Sequence, residues 1–392
     1  MMLTERGWAV AGAGAALMVL WILFGESELG MAALLSVSSV VVALGFVGIG
    51  QPQLEVGRRT SPTAVHEGDH AAVSLQLRNR GSTLRHVTIT DEVAGLGTAE
   101  FAVAAITSAE DLTATYRILC RPRGVFPIGP TRVTVTDPLG MARSTANAGV
   151  VDSLIVYPAV ESLREFPAVR GRNLVVTSSR PEHNQRGGED FYTLREYQQG
   201  DDLRRVHWPS SARRDQLMIR QLETPWQARA LVVLDVRSQV YFDDRAFERA
   251  VSGAASVVRH LVQGGFAADL WAGGRVVNAS SYAVGMEMLA TVTPDPSIDI
   301  IAAASRLRRP EGGGVLVLVG GDPDEPLLGL QRMLAATHPA TVLMSVTGTG
   351  SPTMLAFQRA GVVPVTIEPD QAWAPAWAHA MRSEWHSASV GS

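Results

Sequence analysis

The sequence predicts a multidomain protein: two N-terminal transmembrane helices, an antiparallel β-sandwich, and a doubly wound α/β domain. Three observations predict it. Two charge-free runs open the chain, residues 54–158 alternate apolar and polar side chains with period two, and from about Arg229 apolar runs alternate with stretches of helical spacing.

The charge-free runs are Gly7 to Phe24, 18 residues, and Leu29 to Gly50, 22 residues. At the α-helical rise these are roughly 27 and 33 Å long, close to the hydrocarbon thickness of a bilayer. A signal peptide is the rival for the first run, but Glu26-Ser27-Glu28 follows it and no clear small-residue cleavage site does. The connection carries only Glu26 and Glu28, whereas Arg6 precedes the first run and Arg58-Arg59 follow the second. Short arginine-bearing flanks stay in the cytoplasm. The expectation is therefore a multi-pass hairpin over residues 1–53 in the cell membrane, with the rest of the chain in the cytoplasm.

In residues 54–158, Val73, Leu75 and Leu77 alternate with Ser74, Gln76 and Arg78, and Val133 and Val135 alternate with Thr134 and Thr136. Turn signals separate these strands at Glu67-Gly68-Asp69, Asn79-Arg80-Gly81, Pro127-Ile128-Gly129-Pro130 and Asp137-Pro138-Leu139-Gly140. Short alternating strands at this spacing make a sandwich. In residues 227–392, Ala230 to Leu234 reads as a strand buried on both faces, and Phe247, Val251, Ala254, Val258, Leu261 and Val262 follow at helical spacing. Further strands are expected at Ala267 to Trp271, Val315 to Val319, Val342 to Val346 and Val362 to Ile367. A parallel sheet of this kind binds ligands beyond the carboxyl ends of its strands, which points to Asp235 and to Gly320-Gly321-Asp322.

Composition removes several function classes. All 34 basic residues are arginine. Without lysine the chain lacks the phosphate-gripping residue of a GxxxxGK[ST] loop, the Schiff-base amine of a pyridoxal enzyme and the base of a Ser-Lys hydrolase. The net charge of -4 offers no general basic field for nucleic acid. The single cysteine, Cys120, excludes a disulfide framework and reads as a core thiol in an alternating run.

Residues 159–226 hold the densest charge. Between Arg180 and Arg220 eight arginines mix with seven acids, interleaved with Phe191, Tyr192, Tyr197 and Trp208. Two readings follow: a polar brace of Arg-carboxylate pairs, or a docking surface with arginine and aromatic anchors. Asp201-Asp202 reads as a helix cap and His207 as a packed or hydrogen-bonded ring. The C-terminal stripe of Trp373, Trp377, Met381 and Trp385 reads first as a helix packed on the sheet.

The run Gly188-Glu189-Asp190-Phe191, Leu194-Arg195-Glu196-Tyr197, Gly200-Asp201-Asp202-Leu203-Arg204, Val206-His207-Trp208 and Ser211-Ala212-Arg213 closely resembles the signature of the domain-of-unknown-function 58 family. Arg123-Gly124-Val125-Phe126 and Asp137-Pro138-Leu139-Gly140 resemble the region before it, so the likeness extends over essentially the whole chain. It implies a von Willebrand A-like fold for residues 227–392. It also implies a non-enzymatic adaptor or scaffold role, acting with a MoxR-type AAA+ ATPase and other membrane proteins in chaperone-like assembly or activation of envelope or metal-dependent complexes. Arg195, Tyr197, Gly200, Asp201, Asp202, Arg204, Trp208 and Arg213 are then the partner-facing residues. A metal-dependent hydrolase or an outward-facing ligand-binding module at the sheet-end acids is the alternative.

Von Willebrand A domains often hold Mg²⁺ through an Asp-x-Ser-x-Ser loop and a later acid, since a hard cation wants oxygen ligands. Here the loop is Asp235-Val236-Arg237-Ser238-Gln239, with Asp322 as the distal acid. Arginine and glutamine stand at the two serine positions. The expectation is no bound cofactor, with Mg²⁺ at a degenerate Asp235/Asp322 site as the weaker reading and Arg237 lying between those acids in place of the cation.

Overall fold

The computed structural model describes residues 1–49, 52–108, 110–165, 192–197, 206–214, 216–222, 229–304, 314–347 and 352–389. The chain divides into two compact units, Met1–Ala159 with Met286–Thr291, and Val160–Gly285 with Val292–Ser392.

The first unit opens with a two-residue strand β1 (Met2–Leu3), followed by helices α1 (Glu5–Phe24) and α2 (Ser27–Ile49). Thr4 caps α1, its hydroxyl oxygen accepting from the Gly7 N–H at 3.2 Å, which starts the helix two residues before the charge-free run. Both helices are long and apolar enough to cross a membrane. Leu23, Phe24, Leu34, Leu35 and Val42 are exposed along them. The helices meet over small residues; a methyl placed on Gly14 would lie 3.0 Å from the Ser36 Cβ.

The strands that follow are β2 (Leu54–Ser61), β3 (Ala64–His66), β4 (His70–Asn79), β5 (Leu84–Val93), β6 (Gly97–Ile106), β7 (Asp111–Leu119), β8 (Gly124–Ile128), β9 (Thr131–Thr136), β10 (Ala142–Ala148) and β11 (Asp152–Tyr157). They form two sheets, one ordered β1-β10-β9-β5-β8-β11-β3 with β6 added on β5, the other ordered β2-β4-β7. Leu75 and Leu77 of the small sheet pack with Leu84, Val87, Ile89, Val133 and Val135 of the large one, so the alternating apolar set forms the core between the sheets. The expectation of a purely antiparallel sandwich needs correction at one place. β3 and β11 run parallel, pairing Val65 with Val156; strands about 85 or more residues apart in the chain are not constrained by a tight turn to run antiparallel. Cys120 is fully buried beside Ile118 and Leu154, and burial pushes its thiol pKa up, away from thiolate chemistry.

Arg58 also departs from the sequence reading. Its side chain is 3% exposed and sits inside the sandwich, where Nη2 meets Asp91 at 2.7 Å and Nη1 meets Asp152 at 3.0 Å. It is a structural residue of the core and no longer counts among the charges that orient the hairpin.

Hairpin and sandwich are tied at β1. Met2 pairs with Arg143 and Leu3 with Ala142, the Thr4 N–H donates to the Met141 carbonyl at 2.9 Å, and the Thr4 hydroxyl donates to the Gly140 carbonyl at 2.6 Å. Val47 of α2 joins Met141 and Ala142 in one apolar cluster with Leu3. A Cβ on Gly7 would run into the Met141 carbonyl, so this approach requires glycine. Gly7→Ala is expected to destabilise the docked hairpin by about 1–3 kcal/mol, as overpacking does. Limited proteolysis of the full chain in detergent should then cut between residues 1 and 60 faster than in the wild type, and an unchanged cleavage pattern would rule the contact out as a tie.

The second unit contains β12 (Tyr192–Glu196), α3 (Trp208–Arg214) and β13 (Met218–Leu222), then β14 (Arg229–Leu234), α4 (Asp244–Gln263), β15 (Ala267–Ala272) and β16 (Arg275–Asn278). The helix α5 (Tyr282–Thr291) spans the division between the units. The remainder is α6 (Ile300–Ala304), β17 (Gly314–Gly320), α7 (Glu325–Leu334), β18 (Ala340–Val346), α8 (Met354–Arg359), β19 (Val363–Ile367) and α9 (Trp373–Ser389). The large sheet is ordered β16-β15-β14-β17-β18-β19, all parallel except β16, which returns antiparallel to β15. Leu231, Val233, Leu316 and Leu318 face one side with Leu327, Leu330 and Phe357. The intervening Val232, Leu234, Val317 and Val319 are equally buried on the side covered by α4. Burial on both faces explains the continuous apolar runs. Trp373 and Trp377 are fully buried, their indole N–H groups donating to the carbonyls of Arg249 and Glu165, so α9 is a packed element. The Trp385 side chain lies outside the described residues.

Candidate functional site

In the sheet of the second unit, β14 is flanked by β15 on one side and β17 on the other, and the chain winds outward in both directions from it. That makes the gap beyond the carboxyl ends of β14 and β17 the switch point at which such sheets bind ligands. The residues delivered there are Asp235, Val236 and Arg237 from β14, and Gly320, Gly321, Asp322, Pro323 and Asp324 from β17.

Asp235 ends its strand with the N–H donating to the Val319 carbonyl at 2.8 Å, which holds the two loops side by side. Gly321 lies so close to the Val240 carbonyl that any Cβ would collide with it. Ser345 of β18, fully buried, donates to the Gly321 carbonyl at 2.9 Å and fixes the second loop from the far side.

The centre of the site is the Arg237 guanidinium, 4% exposed at its side chain. Its Nη2 lies 2.6 Å from Asp235 Oδ2 and its Nε 3.0 Å from Asp235 Oδ1. The opposite edge is bidentate to Asp324, Nη1 to Oδ2 at 2.8 Å and Nη2 to Oδ1 at 2.9 Å. One fork thus grips two carboxylates, an arrangement for which the planar guanidinium is suited and an ammonium is not. Asp324 is also the N-cap of α7, its Oδ1 accepting from the Leu327 N–H at 3.1 Å. The Asp235 carboxyl is pushed above the usual carboxylate range by burial, against the opposing pull of the Arg237 hydrogen bonds and charge. Burial works to lower the Arg237 pKa too, but its hydrogen bonds to Asp324 and Asp235 outweigh that and hold it above its ordinary value. Tyr241 donates its hydroxyl to the Asp235 carbonyl, and burial raises its pKa well above 10, so it stays a neutral donor.

The acid facing Arg237 is therefore Asp324, not Asp322 as expected. Asp322 stands two residues earlier, its N–H donating to the Val240 carbonyl at 2.8 Å, its Oδ1 buried without a hydrogen-bond partner, and its pKa raised by burial. Capping decides the difference. The residue immediately before α7 must turn its carboxylate back toward the first helical turn, and that direction brings it to Arg237. Among the described residues no group of three or more His, Cys, Asp or Glu side chains is spaced to hold a metal ion. The donor set at Asp235 has its cationic position taken by a side chain, so these residues do not fit a resident Mg²⁺.

Of the expected partner-facing residues, Gly200, Asp201, Asp202 and Arg204 lie outside the described residues, as does the side chain of Arg195. Arg195 falls within β12, paired with Ile219 of β13. Tyr197 follows that strand, half-buried, its N–H donating to the Leu217 carbonyl at 2.8 Å. Trp208 and Arg213 lie on α3, both exposed, Trp208 at 66%. His207 is hydrogen-bonded through Nδ1 to Ser210 at 2.8 Å, while Ser211 accepts from the Met218 N–H at 2.9 Å and ties α3 to β13. The motif thus contains a two-stranded ladder closed by a short helix that leaves a tryptophan in solvent. Asp324 and Ser345 are the site residues that sequence reasoning missed. The Asp-Glu-Pro start of α7 is a capping signal that was available for the first; nothing local marks the second.

The chain is 29% identical over 232 residues to the uncharacterized protein YeaD of Bacillus subtilis, covering 57% of each chain, so it spans little more than half of that relative's length. Solved structures align weakly. The CARDB domain of the PF1109 protein from Pyrococcus furiosus gives a TM-score of 0.22 at 17% identity, covering 27% of this chain and 88% of that one. The sporulation control protein Spo0M from Bacillus subtilis gives 0.16 at 12% identity, covering 26% and 49%. Both scores are below the level at which a shared fold is read. Residues 193–342 match the family described as "Protein of unknown function DUF58", so the stretch from β12 to the start of β18, holding the exposed Trp208 and the Arg237 cluster, carries that family's pattern.

Proposed function

We propose that the protein is a membrane-anchored adaptor without a reaction of its own. Its soluble body faces the cytoplasm, its C-terminal part is a von Willebrand A-like domain, and its partner is an AAA+ ATPase of the MoxR type. The observation that carries the reading is Trp208, 66% exposed on α3, with Arg213 and Arg214 also exposed on the same short helix. Tryptophan and arginine are among the side chains that most often anchor protein interfaces, and here they share one short exposed helix.

Four further points support it. The sheet-end crevice is filled by Arg237, whose carboxylate partners are satisfied internally, which favours a scaffold over a hydrolase. The doubly wound strand order with an Asp at the end of its first strand agrees with a von Willebrand A-like domain. The absence of lysine removes the usual phosphate-binding loop, so ATP-driven work would fall to a partner. Arg6 and Arg59 outside the hairpin, against Glu26 and Glu28 between its helices, favour the cytoplasmic side.

A photo-crosslinker placed at Arg213 in cells tests the proposal. It should trap an AAA+ ATPase, and trapping should fall about tenfold or more with Trp208→Ala, the loss expected for an interface anchor. Crosslinks to no protein at all, or crosslinks indifferent to Trp208, would end the adaptor reading.

A further inference from the structure

Where α1 begins, the first unit carries an open pocket of about 430 Å³ lined by Arg6, His86, Thr88, Thr136, Leu139 and Gly140 among others. Its position in depth follows from the chain. Arg6 is the last charge before the run from Gly7 to Phe24, and Trp8 beside it is 67% exposed, where interfacial tryptophans sit. The ladder of β1 on β10 and the Thr4 bonds to Gly140 and Met141 hold α1 against the β9–β10 turn, so the pocket stays at the level where the helix meets the headgroups.

Its chemistry is that of an anion site with an apolar rim. The Arg6 guanidinium lies over the turn, Nη1 3.8 Å from where a Gly140 Cβ would be, and makes no ion pair among the described residues. The carboxylate at the pocket, Asp137, is already used, accepting the N–H groups of Leu139 at 2.9 Å and Ala142 at 2.5 Å. Thr88 and Thr136 supply hydroxyl donors. His86 has φ of 51°, a conformation strained for a non-glycine residue, and the β5–β6 register passes from Arg85 with Ala105 to Val87 with Val103 without pairing it. Such strain recurs at ligand sites. Leu139 at the rim is 64% exposed, which suits acyl chains and not a freely dissolved anion.

We propose that this pocket binds the phosphate of an anionic phospholipid from the leaflet in which α1 starts, with Arg6 as its cationic contact and His86 as a hydrogen-bond donor. The inference rests on the hairpin spanning the membrane. Lipid bound there would join the first turn of α1 to β5 and the β9–β10 turn and set the sandwich at a fixed height on the bilayer.

The test uses the full chain in maltoside micelles, with dioctanoyl phosphatidylglycerol and inorganic phosphate as probes and native mass spectrometry as readout. Wild type should retain one phosphatidylglycerol, Arg6→Gln should weaken retention about fivefold, the share of one cationic contact near an anionic surface, and His86→Gln should weaken it by a smaller factor, the share of one hydrogen bond. Both side chains are exposed, so the variants should melt with the wild type when no lipid is added. Equal retention by wild type and variants overturns the site, and so does uptake of inorganic phosphate without uptake of the lipid. Carbonate extraction of cell membranes separates the underlying assumption. A chain that stays in the membrane yet retains no phosphatidylglycerol loses the pocket alone, whereas a chain washed off by carbonate loses the spanning reading and the lipid site with it.

Discussion

Replacing Arg237 with serine is expected to cost about 3–5 kcal/mol of folding stability, the range measured when one partner of a buried ion pair is removed. The variant leaves Asp235, 2% exposed at its side chain, facing Asp324, 34% exposed, with no cation between them. Burial already raises the Asp235 pKa, and losing the Arg237 hydrogen bonds and charge must raise it further. A carboxyl whose folded-state pKa lies above its unfolded value binds more protons when folded. Its contribution is therefore fully present below about pH 4, the unfolded value, and is lost as pH rises through the folded one. The variant should show this slope with a larger amplitude than wild type, and its melting temperature near neutral pH should be lower by roughly 10 °C. Serine also restores one position of the Asp-x-Ser-x-Ser pattern, so millimolar Mg²⁺ is expected to raise the melting temperature of the variant and leave wild type unchanged. If thermal unfolding of Arg237→Ser matches wild type at every pH, the guanidinium is not the element that completes this site.

Arg58→Met should have a comparable effect in the other unit. The arginine converges on Asp91 and Asp152, on the carbonyls of Ile128 and Val150, and on the Thr131 hydroxyl, all within 3.3 Å. Tyr116 and Thr131 also donate to Asp91, at 2.7 and 2.8 Å, and Tyr116 is held protonated first by burial and then by that bond. Methionine fills much of the volume of the arginine stem but leaves Asp91 as a fully buried carboxylate with hydroxyl donors alone. The expected loss is about 3–5 kcal/mol. Adding Asp91→Asn removes the uncompensated charge and should recover part of it, because the penalty lies in the stranded ion and not in the missing contact. Chemical denaturation of the two variants decides the matter. A double variant less stable than Arg58→Met would mean that Asp91 tolerates its charge without Arg58.

Both residues show how far a linear reading reaches. Arg58 lies five residues after the end of the expected hairpin, and near a membrane an arginine is naturally read as a topology signal. Nothing within ten positions of it announces that Asp91 and Asp152, strands away, will enclose it. The Asp235-to-Arg237 part of the second site was legible, because a fully apolar strand ends sharply at its first acid and ligand sites follow strand ends. The choice between Asp322 and Asp324 was not. Both lie in one short loop, and only the N-cap geometry of α7 turns one of them toward the guanidinium. The hairpin of β15 and β16 was overlooked although Gly273-Gly274, both at positive φ, is the residue pair a tight two-residue turn calls for. Two-residue β1 has no pattern to read at all.

What depends on neighbours along the chain can be read from the residues in order. The two apolar helices, the period-two strands of the sandwich and the doubly buried strands of the sheet are written as local periodicities, since a helix face or a strand face repeats every few residues. The exclusion of lysine chemistry needed composition alone. The pairing of charges is set only by the folded chain: Arg58 with Asp91 and Arg237 with Asp324. A buried ion gains its free energy from partners brought within about 3 Å by the fold, and their distance along the chain has no bearing on that contact.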